Sequence, residues 1–237
     1  MPLINEIPRL IRYAGRLIRQ PNEVEVAGVK LSIPEETKGP VLSSIYAEKY
    51  EGLEIAALPR YLRADDVVVE AGAAIGFVGL HCAKHIGLDR LVMIEANPAL
   101  IPEIEKNFAL NGHARPRLLH ALAAADEEGT ETFRVAEQFW SSSVLDRGQT
   151  LQTVEIAKAD LNRLFREESA SVFICDIEGG EFDLLPKLDF SGVRLILIEL
   201  HQKLASAQAV AEAVKQIEAQ GLALKETLKG EVYIFER

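Results

Sequence analysis

The hydrophobic and polar positions along this chain change pattern near residue 66. After that residue, short apolar runs alternate with stretches of helical periodicity, which is typical of βαβ units and a parallel sheet. The end of the chain predicts two antiparallel strands joined at Lys229-Gly230. We therefore expect a doubly wound α/β fold with a mostly parallel seven-stranded sheet and an antiparallel C-terminal hairpin. The predicted parallel strands are residues 67–70, 90–95, 115–124, 171–177 and 193–200.

Residues that begin and end helices lie between these strands. Asn97 is predicted as an N-cap with Pro98 as the first helical residue, and Asn111-Gly112 as the end of that helix. Asp160 is predicted to cap a short helix that reaches Arg166. The remaining predicted elements are a helix from about Ile75, strand-like runs at residues 131–136 and 151–157, and an alanine-rich helix from Ser206 to Gly221.

The chain before the sheet predicts a small extension, residues 1–45, attached to a main domain, residues 46–237. Within the extension, residues 24–33 alternate apolar and polar side chains around Ala27-Gly28, which predicts a β-hairpin. Residues 43–62 predict a helix with breaks that stops near Pro59, because a proline cannot donate a backbone hydrogen bond.

Residues 3–19 predict a basic amphipathic helix, because apolar residues recur there at helical spacing with four arginines between them. Such a helix packs on its own protein, pairs with a sister subunit in a homodimer, or contacts an anionic membrane. We favour packing on the protein or on a second subunit over contact with a membrane.

The overall charge excludes one class of partner. The formal net charge is −10, so the chain has no basic field for a nucleic-acid backbone. No run of eighteen apolar residues occurs and no signal-peptide pattern begins the chain, so we expect no stable membrane insertion. The two cysteines, Cys82 and Cys175, lie in apolar surroundings, which favours a reducing, cytoplasmic location.

The stretch VVVEAGAAIGF, residues 67–77, carries the clearest binding motif. An apolar strand leads into Glu70, then Gly72 and Gly76, and then a helix, so the backbone can approach a ligand beside a positive helix end. The dinucleotide pattern G-x-G-x-x-G is not present, because Ala74 and Phe77 stand where its second and third glycines belong. The spacing E-x-G-x-x-x-G resembles the first motif of class I S-adenosylmethionine (SAM) methyltransferases, with alanine at the middle glycine.

Carboxylates follow three of the predicted strands. Glu95 ends the second strand, where an acidic side chain can accept hydrogen bonds from both hydroxyls of a ribose. Asp176, Glu178 and Glu181 follow the fourth strand, and Glu199 and His201 end the fifth. Because ligands bind beyond the carboxyl ends of parallel strands, at the point where strand order reverses, we expect these groups to border one cleft beside the glycine turn.

The whole arrangement resembles the FkbM-type family of SAM-dependent methyltransferases. The resemblance runs from residues 50–77 through 93–112 to FICDIEGGEFDLL (173–185) and LILIELH (195–201), and its most specific element is D-x-E-G-x-E at residues 176–181. The family commonly has D-x-G-A-N where this chain has residues 70–74, so the asparagine of that pattern is Ala74 here. What the resemblance implies is methylation of a hydroxyl on a sugar, polyketide or similar small metabolite.

We therefore predict a SAM-dependent O-methyltransferase. The predicted residues are, for cofactor binding, Glu70, Gly72, Ala74, Gly76, Glu95, Ala96, Ala124 and Asp176, with the stretch Ala123–Asp126 near adenine, and, for catalysis, Asp176, Glu178, Glu181 and His201. A base is expected because a neutral alcohol is a poor nucleophile. His201 has the better unperturbed pKa for that role and Asp176 and Glu178 the better expected location, so the base stays open among these residues.

Other features have simpler interpretations. His81, Cys82 and His85 share a helix but lack a fourth ligand nearby, so a packed or surface helix is favoured over a metal site. A divalent cation at the cleft acids is an alternative that we do not favour. The loop 137–149 is interpreted as a lid or as a packed anchor, and Tyr50-Glu51 as cofactor contacts or as local packing.

Two other functions are alternatives. One is a non-catalytic SAM-binding or scaffolding protein that docks through the N-terminal helix. The other is an NAD-dependent oxidoreductase, which the missing glycines argue against.

Overall fold

A seven-stranded sheet forms the centre of the computed structural model, which describes residues 6–125, 129–136, 150–201 and 205–237. The strands are β1 (Glu23–Val26), β2 (Val29–Ser32), β3 (Val68–Ala71), β4 (Leu91–Glu95), β5 (Arg117–His120), β6 (Leu122–Ala124), β7 (Thr130–Ala136), β8 (Thr150–Asp160), β9 (Val172–Cys175), β10 (Leu195–Glu199), β11 (Ala223–Leu228) and β12 (Val232–Glu236). The helices are α1 (Glu6–Arg19), α2 (Gly39–Tyr46), α3 (Gly52–Tyr61), α4 (Phe77–Ile86), α5 (Ile101–Leu110), α6 (Leu161–Glu167), α7 (Glu181–Leu184) and α8 (Ala207–Ala219).

The order of strands in the sheet shows where its strand order reverses. The order is β11-β12-β10-β9-β3-β4-β5, and every neighbouring pair is parallel except the two that involve β12. From β3 the chain runs outward to β4 and β5, and it returns to pair β9 with the other side of β3. This reversal is the position where doubly wound sheets bind ligands. The predicted fold class is confirmed.

The inner strands are short and buried on both faces, which explains their nearly continuous apolar sequences. Neighbouring residues of a strand point to opposite faces, so Val68 and Val69 belong to different hydrophobic clusters. The first cluster includes residues of α4, α5 and the β1–β2 hairpin, whereas the second includes residues of α6 and α8. Helices therefore cover both faces of the sheet.

The predicted third strand, residues 115–124, is wrong as a single element. It divides at Ala121 into β5, which joins the main sheet, and β6, which pairs with β8 in a separate three-stranded sheet of order β6-β8-β7. The N–H of Ala121 still donates to the carbonyl of Glu95 in β4 at 3.1 Å, and β6 begins at the next residue. The apolar run continues through the division because residues on both sides of it pack against hydrophobic neighbours.

Two predicted helix boundaries are also wrong. Pro59 lies inside α3, which continues to Tyr61 because the bond from Leu62 N–H to the Leu58 carbonyl, 2.9 Å, closes its last turn. Helix α5 begins at Ile101 rather than Pro98. The Asn97 side chain accepts from Ala99 N–H at 3.1 Å, so Asn97 caps a separate turn before the helix.

Several turn and cap predictions are confirmed. Asp160 accepts from Arg163 N–H at 3.1 Å, and Ser206 accepts from Ala209 N–H at 3.1 Å. The hairpin turns at Ala27-Gly28 and Lys229-Gly230 have positive φ at both residues, as two-residue hairpin turns of this type require.

The N-terminal elements are attached to the main body. The β1–β2 hairpin contributes Val24, Val26 and Leu31 to the same cluster as Ile75 and Leu80 of the main domain. The predicted boundary between residues 45 and 46 falls within α2, and the division into two parts stays a prediction. Within the part of the chain that the structure describes, each helix is too short or too polar to cross a bilayer.

Candidate active site

The turn after β3 brings two distant segments together. Gly72 has φ +86°, and its N–H and that of Ala73 donate to the Ile94 carbonyl at 3.0 and 3.1 Å. An ideal Cβ built on Gly72 would lie 1.7 Å from the carbonyl oxygen of Asp176, so only glycine fits there. Gly76, at the start of α4, also has positive φ. A Cβ on it would lie 3.2 Å from the side chain of Ile104 in α5.

Ala74, which replaces the asparagine of the family pattern, adopts a left-handed backbone with φ +48°. Asparagine enters this region more readily than alanine, which is a physical reason for the family pattern. The Ala74 N–H donates to Glu95 Oε2 at 2.9 Å, so the turn is tied to the end of β4.

Glu95 is buried at the end of β4 with both carboxylate oxygens directed at backbone donors. Besides the bond from Ala74, its Oε1 accepts from Asn97 N–H at 2.7 Å. Burial raises the pKa of Glu95 to about 7, and hydrogen bonds from the backbone of Asn97, Ala74 and Ala96 oppose that rise. The carboxyl therefore sits at the end of β4 in a fixed orientation.

A cavity of about 520 Å³ opens beyond the carboxyl ends of β3, β4 and β9. This volume is within the usual range of about 300–1,000 Å³ for small-molecule sites. The predicted cofactor-binding residues in its wall are Gly72, Ala74, Glu95, Ala96, Ala124 and Asp176, and the predicted catalytic residues there are Asp176 and Glu178. Asp126 and the loop 137–149 lie outside the described residues.

Glu70 and Gly76 are not in the wall of this cavity. The Glu70 carboxylate lies beneath α4, where a Cβ on Gly79 would lie 2.6 Å from its Oε2, and it faces a small adjoining space of about 20 Å³. Burial, followed by the charge of Glu95, raises the pKa of Glu70 to about 8. Its predicted cofactor contact stays a prediction.

The acids after β9 and β10 surround His201, whereas the sequence predicted that all five groups border one cleft. The distances from His201 Nε2 are 3.4 Å to Glu178 Oε2, 3.6 Å to Asp176 Oδ1 and 3.7 Å to Glu199 Oε1. On the other side of the ring, Nδ1 lies 2.9 Å from Glu181 Oε1. Glu181 and His201 are behind the cavity wall, whereas the other three carboxylates are in it.

The chain turns back between these acids at Glu178 and Gly179. Glu178 and Gly179 both have positive φ, at +55° and +102°. The Ile177 N–H then donates to Glu181 Oε1 at 3.2 Å, and α7 begins at Glu181. This turn buries Glu181 completely while Glu178 stays at the cavity.

The carboxylates change the acid–base properties of the histidine. Burial by itself would lower the pKa of His201, but hydrogen bonds to Glu178 and Glu181 and the charges of Asp176 and Glu181 raise it to about 11. Burial, followed by the charge of Glu199, raises the pKa of Asp176 well above its usual range. With these carboxylates alone around it, His201 is a cation at neutral pH and has no free lone pair for a base.

Three residues of α3 and the turn before it lie beside the cleft acids. Tyr50 and Glu51 line the cavity, as one of the two interpretations of that pair expects, and Glu54 faces the small adjoining space. Burial, followed by the charges of Asp176 and Glu54, raises the pKa of Glu51 well above its usual range. Burial also raises the pKa of Glu54 to about 7. Glu54 was not among the residues predicted from the sequence, although its spacing of three from Glu51 was a usable signal.

The histidines of α4 have the simpler interpretation. His81 is buried, and its ring packs edge-on against Phe77 with ring centroids 4.9 Å apart. Burial, followed by the charges of Lys84 and His85, lowers the pKa of His81 to about 4. It is a packed core residue on the face of α4 towards the body.

The sequence of this site matches a known family. A family model described as the methyltransferase FkbM domain matches residues 70–222, which is more than half of the chain. The chain belongs to the FkbM methyltransferase family. The protein is therefore a methyltransferase, and its fold implies SAM as the methyl donor. No curated protein sequence matches the chain significantly.

Solved structures similar to this FkbM protein include several methyltransferases. A methyltransferase from Pyrococcus furiosus is 12% identical, with 98% of each chain covered and a TM-score of 0.49. The ribosomal protein L11 methylase from Lactobacillus delbrueckii subsp. bulgaricus is 12% identical, with 77% of this chain and 74% of that chain covered and a TM-score of 0.46. Precorrin-6y C5,15-methyltransferase from Geobacter metallireducens GS-15 is 16% identical, with 79% of this chain and 86% of that chain covered and a TM-score of 0.43.

Proposed function

We propose that this FkbM protein is a SAM-dependent O-methyltransferase that acts on a hydroxyl of a sugar, a polyketide or a similar small metabolite. The observation that carries the proposal is the shared cavity. One part of its wall is the glycine turn with Glu95, and the adjoining part holds Asp176, Glu178 and Glu199. A ligand in the first part would therefore present its reactive end to carboxylates.

The residues of the glycine turn fit SAM on two observations. Gly72 lines the cavity without a side chain, because its close contact with the Asp176 carbonyl admits only glycine. The oriented Glu95 carboxylate can accept from ribose hydroxyls, with Ala96 and Ala124 as apolar neighbours for the nucleoside. The carboxylates of Asp176, Glu178 and Glu199 in the same wall are compatible with a positive sulfonium.

Bound SAM supplies a methyl group, whose bond to sulfur breaks with its electron pair as the acceptor oxygen bonds to carbon. The protein's own residues hold the acceptor in line and take the hydroxyl proton. Alignment of two bound reactants contributes up to about 7–11 kcal/mol to lowering a barrier. A positioned base adds about 10²- to 10⁴-fold.

Asp176 and Glu178 are the proposed proton acceptors in their ionised forms, because both carboxyl groups are in the cavity wall. Glu181 is fully buried behind the wall, and the protonated His201 ring has no lone pair to offer. We propose that Glu181 and His201 instead position the two wall carboxylates.

Calorimetry with SAM and, separately, with NAD tests the cofactor. Binding of SAM but not NAD is expected, and the reverse result would overturn the proposal.

The acceptor class is tested with isotopically labelled SAM and extracts fractionated into small molecules and polymers. Labelled product is expected in the small-molecule fraction as an ether, and the yield should fall at least tenfold in Glu178→Gln.

The exposed Glu212→Gln is the matched control and should keep the wild-type yield. SAM binding without product in any fraction would favour the non-catalytic scaffolding alternative.

We also propose a reducing, cytoplasmic compartment, because Cys82 and Cys175 are both buried free thiols. Recovery of the native protein from a secreted fraction would contradict that location.

A further inference from the structure

The surroundings of His201 have the geometry of a cation site. Ligand atoms of Asp176, Glu199 and His201 all lie within 4.8 Å of one another. We propose that His201 Nε2 and the carboxylates of Asp176, Glu178 and Glu199 bind one divalent cation. A site with one imidazole and three carboxylates suits a cation such as Mn²⁺ or Zn²⁺.

The separations around the ring are longer than most hydrogen bonds and close to the spacing of ligands around one cation. Nε2 lies 3.4–3.7 Å from one oxygen of each of these carboxylates. An N–H···O hydrogen bond normally measures about 2.7–3.2 Å between heavy atoms. Ligand bonds of about 2.0–2.2 Å at tetrahedral angles place neighbouring ligand atoms about 3.4 Å apart. The distances from Nε2 are therefore those that a shared cation produces, and the ligand atoms of Asp176, Glu199 and His201 are also close to one another.

The other ring nitrogen provides an independent observation. Nδ1 lies 2.9 Å from an oxygen of Glu181, whose side chain is 0% exposed and is also held by Ile177 N–H. A buried carboxylate that accepts from one ring nitrogen is the usual partner of a metal-binding histidine, because it directs the other nitrogen's lone pair at the metal. Glu181 thus orients the ring towards the three wall carboxylates.

Two buried oxygen atoms of this cluster lack hydrogen bonds. Within the described residues, neither Asp176 Oδ1 nor Glu181 Oε2 has a hydrogen-bond partner. An unpaired carboxylate oxygen in a buried site is costly unless a charge or a donor compensates for it. A cation bound at Nε2 would release the proton from that nitrogen to solvent and place two positive charges among four carboxylates.

The cation would also be next to the acceptor, since Asp176, Glu178 and Glu199 line the cavity. Its role there rests on the proposed function. A hydroxyl that coordinates a divalent cation has a lowered pKa, so its proton leaves more easily to a wall carboxylate or to solvent.

Metal binding is tested directly and without turnover. The chelator-treated protein is titrated with Mn²⁺, and free Mn²⁺ is followed by electron paramagnetic resonance, with Zn²⁺ titrated in a parallel calorimetric experiment. One equivalent of at least one ion should bind. His201→Asn and Glu199→Gln should weaken that binding at least tenfold, and Glu181→Gln about 10- to 100-fold.

Glu212→Gln, on the exposed face of α8, is the control and should bind as the wild type does. Thermal melts followed by circular dichroism identify variants that fail to fold, and these are replaced by Glu199→Asp. Absence of binding by the folded wild type, or unchanged affinity in folded ligand variants, would overturn the site. SAM calorimetry on the same chelator-treated protein separates the two proposals. Absence of SAM binding would refute the proposed function, whereas absence of metal binding alone would refute only this inference.

Helix α1 provides a second, independent inference, because its polar face is turned towards the protein. Arg12 and Glu48 form a salt bridge of 2.7 Å, Arg16 donates to the Tyr46 carbonyl at 2.8 Å, and the hydroxyls of Tyr13 and Ser43 are 2.8 Å apart. The opposite face is exposed, with Ile18 at 84%. The exposed apolar positions, here called the α1 stripe, are Ile7, Leu10, Ile11, Ala14, Leu17 and Ile18.

We infer that the α1 stripe pairs with the same stripe of a second copy of this chain. Its spacing repeats over two heptads, as helix–helix seams do, and Ala14 at its centre lets two helices approach closely. An anionic membrane is a poorer partner, because Arg12 and Arg16 are bound to the body and the chain carries a net charge of −10.

Sedimentation velocity of the full chain at micromolar concentrations should show a dimer. Ile11→Glu and Ile18→Glu should shift it to a monomer without changing the melting temperature by more than a few degrees. Leu224→Glu, at an exposed leucine on β11, is the matched control and should remain dimeric. A monomeric wild type, a dimer that survives both substitutions, or a monomer that binds phosphatidylserine-containing vesicles would overturn this inference.

Discussion

The carbonyl oxygen of Asp176 occupies the space that a side chain on residue 72 would need. The ideal Cβ position of Gly72 is 1.7 Å from that oxygen, and the N–H of Asp176 donates to the Ala71 carbonyl at 3.0 Å. This contact joins the glycine turn to the first of the cleft acids. The glycine turn and the acidic segment after β9 are therefore in direct contact.

Gly72→Ala should damage both stability and ligand binding, because the added methyl group requires the Asp176 segment to move and because φ +86° is unfavourable for alanine. Overpacking of this kind typically costs about 1–3 kcal/mol of unfolding free energy. Urea unfolding and SAM calorimetry measure the two effects.

Gly192→Ala is the matched control, since a Cβ there would meet only the Ala170 carbonyl at an ordinary 3.8 Å. It should leave both quantities near the wild-type values. An unchanged SAM affinity in a folded Gly72→Ala protein would contradict the prediction.

Glu70 makes stability depend on pH in a defined direction. The pKa of this carboxyl is about 8 in the folded protein, against an ordinary value of 4.5, so the folded state holds a proton that the unfolded state releases between those values. Stability contributed by the neutral form is therefore lost as the pH rises through that window, at up to about 1.4 kcal/mol per pH unit.

Glu70→Gln removes this dependence. The unfolding free energy of the variant minus that of the wild type should rise steadily between pH 5 and pH 8 in urea titrations. The same comparison for Glu212→Gln on the exposed face of α8 is the control. A flat difference for Glu70→Gln would show that the buried carboxyl does not retain its proton.

The ion pair of Arg194 and Asp66 should contribute more to stability than the surface pairs. Asp66 is buried, and it accepts from both Arg194 and the Ser171 hydroxyl, the latter at 2.8 Å. Arg194→Ala leaves that carboxylate without its cation, a change that typically costs about 3–5 kcal/mol.

Arg115→Ala breaks a pair with Glu105 in which the arginine side chain is 78% exposed, so its effect should be below about 1 kcal/mol. Urea unfolding of the two variants checks the contrast. Similar losses for both would refute the distinction between buried and exposed pairs here.

Glu95→Gln should weaken cofactor binding. A glutamine cannot accept from Ala74 N–H and Asn97 N–H with two oxygens, and its amide group would face one of these donors. Loss of a hydrogen bond to a charged group costs about 1.5–3 kcal/mol, which corresponds to about a 10- to 150-fold lower affinity for S-adenosylhomocysteine in calorimetry. The exposed Glu36→Gln is the control, and equal affinities of Glu95→Gln and wild type would remove Glu95 from the proposed site.

Much of the sheet and the adjacent position of the acids could be predicted, because both depend on short-range patterns combined with general rules of α/β topology. Glu95 and Asp176 follow apolar strands directly, so their edge of the sheet was determined once the strands were parallel. The division at Ala121 could not be predicted in this way. Both halves of that run are apolar, and only the folded chain shows that the strand partner changes from β4 to β8 after Ala121.

The amino-acid sequence by itself determined the strands, the two glycines of the turn and the order of the acids along the chain, since periodicity and backbone conformation are local properties. The tertiary structure alone decided what those acids became. Glu70 turned beneath α4 rather than into the cavity, and His201 became enclosed by carboxylates from two strand ends. The physical reason is that burial and charge depend on neighbours in space, and Asp176, Glu199 and Glu51 become neighbours only after the chain has folded.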